Sequence, residues 1–120
     1  MLYLYKNMKQ ENNKNHNSGN YNILRGAYFN NFSEVDGALE TEPRCIENTD
    51  HLGRTALHIA AQRGFVDMVM HLSEQDGVDF SATDLLGRTA LDVSWESAKS
   101  EIPHYLSDRM YPSLFTEFTP

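Results

Sequence analysis

The sequence predicts an all-α fold, a solenoid of stacked helix-turn-helix units, and three observations support this prediction. Residues 49–60 and 83–94 are identical at eight of twelve positions, which reveals an internal repeat whose period is the distance from Thr49 to Thr83. Each copy places a turn signature before apolar residues that recur at helical spacing. Neither helix of such a unit could bury its apolar stripe alone, whereas stacking the units would bury it.

The repeats divide into three units, which comprise residues 16–49, 50–83 and 84–108. The middle unit is the most regular. The same period, applied backwards from the middle unit, places His16 at the position of Asp50 and Tyr21 at that of Thr55, so the turn signature is lost in the first unit. We expect both end units to be atypical, because terminal repeats have one face without a neighbour.

The middle unit contains a signal for each of its elements. Asp50 and Gly53 favour a tight turn, since Asp can bond its own backbone and Gly accepts a positive φ angle. Thr55 is suited to cap the N-terminus of a short helix that ends at Gly64. A second helix follows, in which apolar residues recur at helical spacing, namely Phe65, Met68, Val69 and Leu72.

The third unit repeats this pattern and then departs from it. Thr89 and Asp92 have nearly the spacing and chemistry of a capping box. Trp95 stands where the middle unit has Ala61, and it is too large for the same helix contact. Pro103 lies early in the last helix, where the first turn tolerates proline. Both features fit a C-terminal cap, and we expect Trp95 to pack in that cap rather than to anchor a partner.

Residues 50–64 resemble an ankyrin repeat. The turn Asp and Gly, the Thr-Ala-Leu-His segment, the paired alanines and the closing glycine stand where that pattern has them. Residues 84–94 are similar, with Asp92 in place of the histidine. The resemblance implies an ankyrin-type repeat solenoid with atypical end repeats. It also implies that Thr55 and His58 bond to each other near the turn, and that the His58 ring ties adjacent loops together.

The two ends of the chain differ in composition from the repeat region, which we place at residues 20–108. Residues 1–19 form a polar arm rich in Asn and Lys, a composition that predicts disorder. Residues 109–120 form a tail that combines aromatic residues with two prolines. This tail either folds back over the last repeat or docks on a partner.

Composition and charge argue against several classes of protein. Of the 120 residues, 40% are apolar and 22% are charged, which is typical of a globular domain. The net charge is −7, and residues 16–120 carry 7 basic and 16 acidic side chains, which argues against direct nucleic-acid binding. No apolar run approaches the roughly 20 residues of a membrane helix, so we expect no membrane insertion. A single cysteine, Cys45, favours an intracellular location, cytoplasmic or nuclear.

The sequence contains no group of residues that indicates catalysis, a metal ion or a cofactor. The five histidines do not have the spacing of a zinc site, and Cys45 has no histidine close to it in sequence. No G-x-G-x-x-G segment is present. Ser94 and Ser97 lack the glycine-flanked turn of a hydrolase nucleophile. We therefore expect a protein that is not an enzyme.

Binding of a protein partner is the function that remains. The ankyrin resemblance implies contact positions at the turn tips and on the exposed side of each first helix. In this chain the candidate contact residues are His51, Leu52, Arg54, Gln62, Arg63, Leu85, Leu86, Arg88, Glu96 and Ser97. Apolar anchors beside arginine are typical of interface hot spots. Two alternatives stay open, in which the leucines pack against one another and Arg54 and Arg88 form ion pairs with Asp50 and Asp84.

These features predict a small non-catalytic adapter or inhibitor that binds a protein partner through its repeat turns and concave face. The alternative is a structural subunit of a larger assembly, held by its N- and C-terminal tails. Exposed leucine and phenylalanine side chains could also serve self-association. Because three repeats are about the minimum for a stable stack, we further expect low intrinsic stability that a bound partner would raise.

Overall fold

The computed structural model describes residues 21–111, and within this range every regular element is helical. The predicted helix-turn-helix solenoid is confirmed. The elements are α1 Ile23–Tyr28, α2 Phe32–Thr41, the 3₁₀ helix η1 Pro43–Glu47, α3 Ala56–Arg63, α4 Val66–Ser73, α5 Ala90–Ser94 and α6 Glu101–Met110. The polar arm at residues 1–19 and residues 112–120 of the tail lie outside the described residues.

The six α-helices of residues 21–111 form three successive pairs, α1–α2, α3–α4 and α5–α6. The first helices of the pairs pack side by side, with α3 between α1 and α5, and the second helices contact one another less. Small side chains permit this close approach, and the buried alanines of the first helices are Ala27, Ala56, Ala60, Ala61 and Ala90. The first helices therefore form the tightly packed side of the stack, and the residues exposed along them lie next to one another.

Two hairpin turns, one before α3 and one before α5, have the same geometry. In the first hairpin, Asp50 accepts through Oδ1 from the backbone N–H groups of Leu52 and Arg54, both at 2.9 Å. The second hairpin has the same bonds around Asp84. In both hairpins the glycine before the arginine has a φ angle of +78°, a conformation that L side chains rarely adopt. The predicted Asp and Gly turn is confirmed.

Thr55 caps α3 as predicted. Its hydroxyl accepts from the His58 N–H at 3.3 Å, and the Nδ1 atom of His58 accepts from the Thr55 N–H at the same distance. The His58 ring is buried, and its Nε2 atom donates to the carbonyl of Arg88 in the next hairpin at 2.8 Å. The expected bond between Thr55 and His58 and the expected tie between adjacent loops are both confirmed. The helix ends at Gly64, which has a φ angle of +82°.

The first unit is offset from the predicted alignment by a single position. The N-cap of α1 is Asn22, whose side chain accepts from two backbone N–H groups of the first turn. Asn22 therefore takes the position of Thr55, and the assignment of Tyr21 to that position is wrong. An amide oxygen can cap a helix, whereas the Tyr21 ring packs closely over Gly37 instead. The spacing from Asn22 to Thr55 is thus one position shorter than the spacing from Thr55 to Thr89, the cap of α5.

The third unit contains one further correction. Helix α5 has five residues and ends at Ser94, so Trp95 follows the end of the helix. Trp95 is 68% exposed, and the expectation that it packs in a C-terminal cap is wrong. Because α5 stops before it, the indole does not enter the helix contact that Ala61 makes in α3. Pro103 is buried in the first turn of α6, as predicted.

Candidate protein-binding surface

The tips of the two hairpins present apolar side chains to solvent. Leu52 is 45% exposed, and Leu85 and Leu86 are 74% and 77% exposed. The two tips are joined, since the Leu85 N–H donates to the Leu52 carbonyl at 3.0 Å. His51 is exposed beside them. We call these four residues the hairpin edge, and contact between the turns leaves most of Leu85 and Leu86 uncovered.

Arg54 and Arg88 form the ion pairs that the sequence left open as an alternative. The Nε atom of Arg54 lies 2.9 Å from Oδ2 of Asp50, and the Nε atom of Arg88 lies 2.9 Å from Oδ2 of Asp84. Each pair closes its own hairpin. The two guanidinium groups are therefore held in fixed orientations by the turns that precede α3 and α5.

The same arginines also bond to side chains on α3 and just after α5. The Nη1 atom of Arg54 donates to Gln62 at 3.1 Å, and the Nη1 atom of Arg88 donates to Glu96 at 3.0 Å. Gln62 in turn donates through Nε2 to Glu96 at 2.7 Å. Four of the predicted contact residues thus form one continuous set of hydrogen bonds across the middle and third units, which we call the polar network.

The hairpin aspartates are held in the ionised form. Desolvation opposes the ionisation of Asp50, but hydrogen bonds from the backbone N–H groups of Arg54 and Leu52 and the Arg54 guanidinium outweigh it and lower the pKa of Asp50. The same causes, with donors from the second hairpin, lower the pKa of Asp84. Both hairpins therefore keep their ion pairs at neutral pH.

Arg63 lies at the C-terminal end of α3, outside the polar network. Its guanidinium carbon is 4.0 Å from the centre of the Tyr28 ring and 5.4 Å from the centre of the Phe65 ring. Tyr28, Arg63, Arg54 and Gln62 line an open cavity of about 480 Å³. We call this cavity the arginine cleft, and it brings a residue of the first unit together with three of the middle unit.

Ser97 lies apart from these groups. It is half-buried, and its hydroxyl donates to the Ser94 carbonyl at 3.0 Å and accepts from the Lys99 N–H at 3.3 Å. The polar group of Ser97 is therefore used within its own loop.

Four exposed aromatic residues of the described chain were not among the predicted contact residues, namely Tyr28, Phe29, Trp95 and Tyr111. The rings of Tyr28 and Phe29 meet edge to face, with centres 5.0 Å apart. In the corrected alignment of α1 with α3, Phe29 takes the position of Gln62, so that alignment would have indicated it. For Trp95, the signal was a large ring at the position where α3 has Ala61.

Outside this surface, the described chain has no metal-binding cluster, no membrane-spanning helix and a cysteine of low reactivity. Within residues 21–111, no group of three His, Cys, Asp or Glu side chains is placed to hold a metal ion. No helix in this same part of the chain is long and apolar enough to cross a bilayer. Burial, with a contribution from Glu42, raises the pKa of the Cys45 thiol, and a buried neutral thiol is a poor nucleophile.

Comparison with known proteins identifies the pattern of units. A family model for ankyrin repeats, in three copies, matches residues 18–113. Among solved structures, the chain is similar to one in a complex of a predatory endopeptidase from Bdellovibrio bacteriovorus with an immunity protein. That match has 29% sequence identity and a TM-score of 0.65 and covers 72% of this chain and 44% of the other. The chain therefore spans less than half the length of the protein it matches.

Proposed function

Because the chain belongs to the ankyrin-repeat family, whose repeats are protein-interaction modules, we propose that it is a non-catalytic adapter or inhibitor. In this proposal it binds a protein partner through the hairpin edge and through the exposed side of α3 and α5. Its site of action is inside the cell, in the cytoplasm or the nucleus, which agrees with the free and buried thiol of Cys45.

The observation that carries the proposal is the exposure of Leu52, Leu85 and Leu86 on a rigid edge. Large apolar side chains that stand together in solvent mark interaction sites more often than chance. Burial of one leucine side chain stabilises a complex by about 2 kcal/mol. The hairpin bonds hold the leucines in place before binding, so little conformational entropy is lost when a partner covers them.

The polar network supports the same surface. Gln62, Glu96, Arg54 and Arg88 are fixed by one another beside the hairpin edge, so their remaining donors and acceptors point in set directions. Fixed polar groups around apolar anchors give an interface its specificity. The polar network would therefore select the orientation of the partner, while the leucines would supply most of the affinity.

An inhibitory role has its own support. The matched structure contains an immunity protein in complex with an endopeptidase. A chain with ankyrin units and an exposed apolar edge can act in the same general way, by occupying a surface that its partner needs. We therefore propose inhibition by occlusion as the first mode of action to test, with bridging of two partners as the second.

A pull-down from native extract, read by mass spectrometry, tests the proposal. It compares the full chain with a Leu52→Asp, Leu86→Asp double variant of unchanged helicity. The matched control is Met70→Asp, which places the same charge on an exposed apolar residue of α4, away from the hairpins. We expect one partner to be lost at least about tenfold in the double variant, because two buried leucines would be replaced by charges, and to be retained by Met70→Asp.

A partner whose recovery is the same with both variants would contradict binding through the hairpin edge. If recovery instead falls when residues 1–19 or 112–120 are removed, the chain is a structural subunit held by its tails. The captured partner's own activity is then measured with and without the chain. This measurement distinguishes an inhibitor from an adapter, because only an inhibitor lowers that activity.

A further inference from the structure

We infer that the arginine cleft binds an acidic side chain, an aspartate or glutamate of the protein partner. The inference rests on the proposed function and adds to it the chemistry of the partner at one point of the surface. Arg63 would donate to the carboxylate and Tyr28 would support Arg63, while Arg54 also lines the cleft.

The exposure and the bonding of Arg63 are those expected of a residue that binds an anionic ligand. It is exposed, and within residues 21–111 it forms no ion pair with a carboxylate. Its guanidinium lies 4.0 Å from the centre of the Tyr28 ring. A guanidinium over an aromatic ring is oriented through its face, so its N–H groups stay available to donate in its plane. The guanidinium is therefore oriented, and it has no carboxylate partner in the part of the chain that the structure describes.

The other two arginines of this surface already have carboxylate partners. Arg54 and Arg88 each pair with the aspartate of their own hairpin, and Arg88 also bonds to Glu96. These bonds use the Nε and Nη1 atoms of Arg54, so Nη2 is the nitrogen that faces no acceptor in the described part of the chain. Arg63 thus differs from Arg54 and Arg88 in having no carboxylate partner within residues 21–111, and Arg54 lines the same cleft.

The carboxylates near the cleft are engaged as well. Asp50 and Asp84 bond to the hairpin arginines, Asp92 bonds to the Thr89 N–H, and Glu96 accepts from Arg88 and Gln62. The exposed acids of α4 and α6 do not line the cleft, whose lining has two arginines and no carboxylate. The local charge of the cleft is therefore positive in a chain whose net charge is −7.

This distribution favours an acidic ligand over a basic one. A basic segment would be attracted to the second helices and repelled by Arg63, so it would not select the cleft. An acidic segment would be repelled from the rest of the surface and accepted in the cleft, which fixes the register of binding. The ligand that fits best carries a carboxylate for the cleft and an apolar residue for the hairpin edge.

The test uses phage-displayed random peptides selected on the immobilised full chain, in parallel with the Arg63→Gln and Arg44→Gln variants. Arg44 is an exposed arginine of η1 that does not line the cleft, so it is the matched control for charge. We expect selection on the wild type and on Arg44→Gln to enrich Asp and Glu beside an apolar residue. The same enrichment should be absent with Arg63→Gln.

The best peptide is then synthesised and its Kd measured by fluorescence anisotropy. Arg63→Gln and replacement of the peptide's acidic residues by their amides should each weaken binding about tenfold, and the two changes together should cost no more than one alone. Selection of basic or wholly apolar peptides, no selected binder, or equal affinity for Arg63→Gln and Arg44→Gln would overturn the inference. A partner lost with Leu52→Asp, Leu86→Asp but kept with Arg63→Gln would leave the proposed function intact and refute only the acidic ligand.

Discussion

The middle and third units have almost the same hairpin but different first helices. Both hairpins use an aspartate to bind two backbone N–H groups and a glycine at a φ of +78°. After the shared threonine cap, α3 continues for eight residues, whereas α5 ends after five. His58 of α3 is buried and bonds to the next hairpin, while Asp92 at the same position of α5 is exposed and its carboxylate accepts from the Thr89 N–H of its own unit.

The repeat contains two kinds of interaction, those within one unit and those between neighbouring units. The turn and the cap depend on residues a few positions apart, so both units form them. The tie between units requires a side chain that caps its own helix and also donates to the next hairpin. The two ring nitrogens of His58 do both, whereas the carboxylate of Asp92 has no N–H to donate. A unit with Asp at this position can form its own turn and helix cap, but it cannot make the same bond to a following unit.

Among the substitutions that test this difference between the units, replacement of His58 by Ala should have the largest effect on the free energy of unfolding. It removes the bond to the Arg88 carbonyl and leaves a buried cavity, so we expect a loss of about 3 kcal/mol in the free energy of unfolding. Asp92→Ala is the matched control and should cost only about 1 kcal/mol, since it removes a cap at an exposed position. Urea denaturation measures both values. Equal losses would mean that the tie between units does not stabilise the stack.

Replacement of Gly53 by Ala should cost more than replacement of Gly87. Both positions have φ of +78°, where a Cβ atom costs about 1 kcal/mol. A Cβ at Gly53 would also lie 2.9 Å from the backbone nitrogen of Leu85, whereas at Gly87 it would meet nothing within 4 Å. We therefore expect a total loss of about 2 kcal/mol for Gly53→Ala because the bond between Leu85 and Leu52 must shift. The same denaturation experiment decides, and a larger loss at Gly87 would contradict the close packing of the two tips.

The hairpin aspartates should make the stack sensitive to acid. The folded-state pKa values of Asp50 and Asp84 are lowered, so their stabilising effect is complete above the unfolded pKa of about 4. It is lost as the pH falls through the still lower folded pKa. Asp50→Asn should cost about 1 kcal/mol at pH 7 and flatten the decline in melting temperature below about pH 5. An unchanged acid profile in the Asp50→Asn, Asp84→Asn double variant would show that other groups cause the decline.

The parts of the fold that depend on residues close together within one unit could be predicted from the sequence. Asp50 and Gly53 specify the turn, Thr55 the start of α3 and Gly64 its end, and the structure has all of them. The first unit was misaligned because a fixed period was applied to units whose helix caps are not equally spaced along the chain. Only the geometry of the Asn22 cap reveals the correct alignment.

The candidate surface could be predicted as a set of positions but not as a set of bonds. The sequence places Gln62 and Glu96 one repeat apart, so their proximity follows from stacking. Their bond, and its extension to both arginines, depends on side-chain torsion angles that repeat spacing does not determine. The arginine cleft depends on the stacking of Arg63 on Tyr28, which joins the first and middle units. The sequence alone predicts the wrong alignment of these two units, so it does not predict this contact.

Trp95→Ala should have the smallest effect on stability and is the sharpest test of how the third unit ends. Because the indole is 68% exposed and follows the end of α5, we expect the free energy of unfolding to change by less than about 0.5 kcal/mol. If the ring packed in a cap, its removal would cost about 3 kcal/mol or more. Denaturation monitored by far-UV circular dichroism is suitable, since Trp95 is the chain's one tryptophan and its fluorescence is lost in the variant. A near-zero change would leave the ring free to contact a partner beside the polar network, whereas a large loss would return Trp95 to the cap.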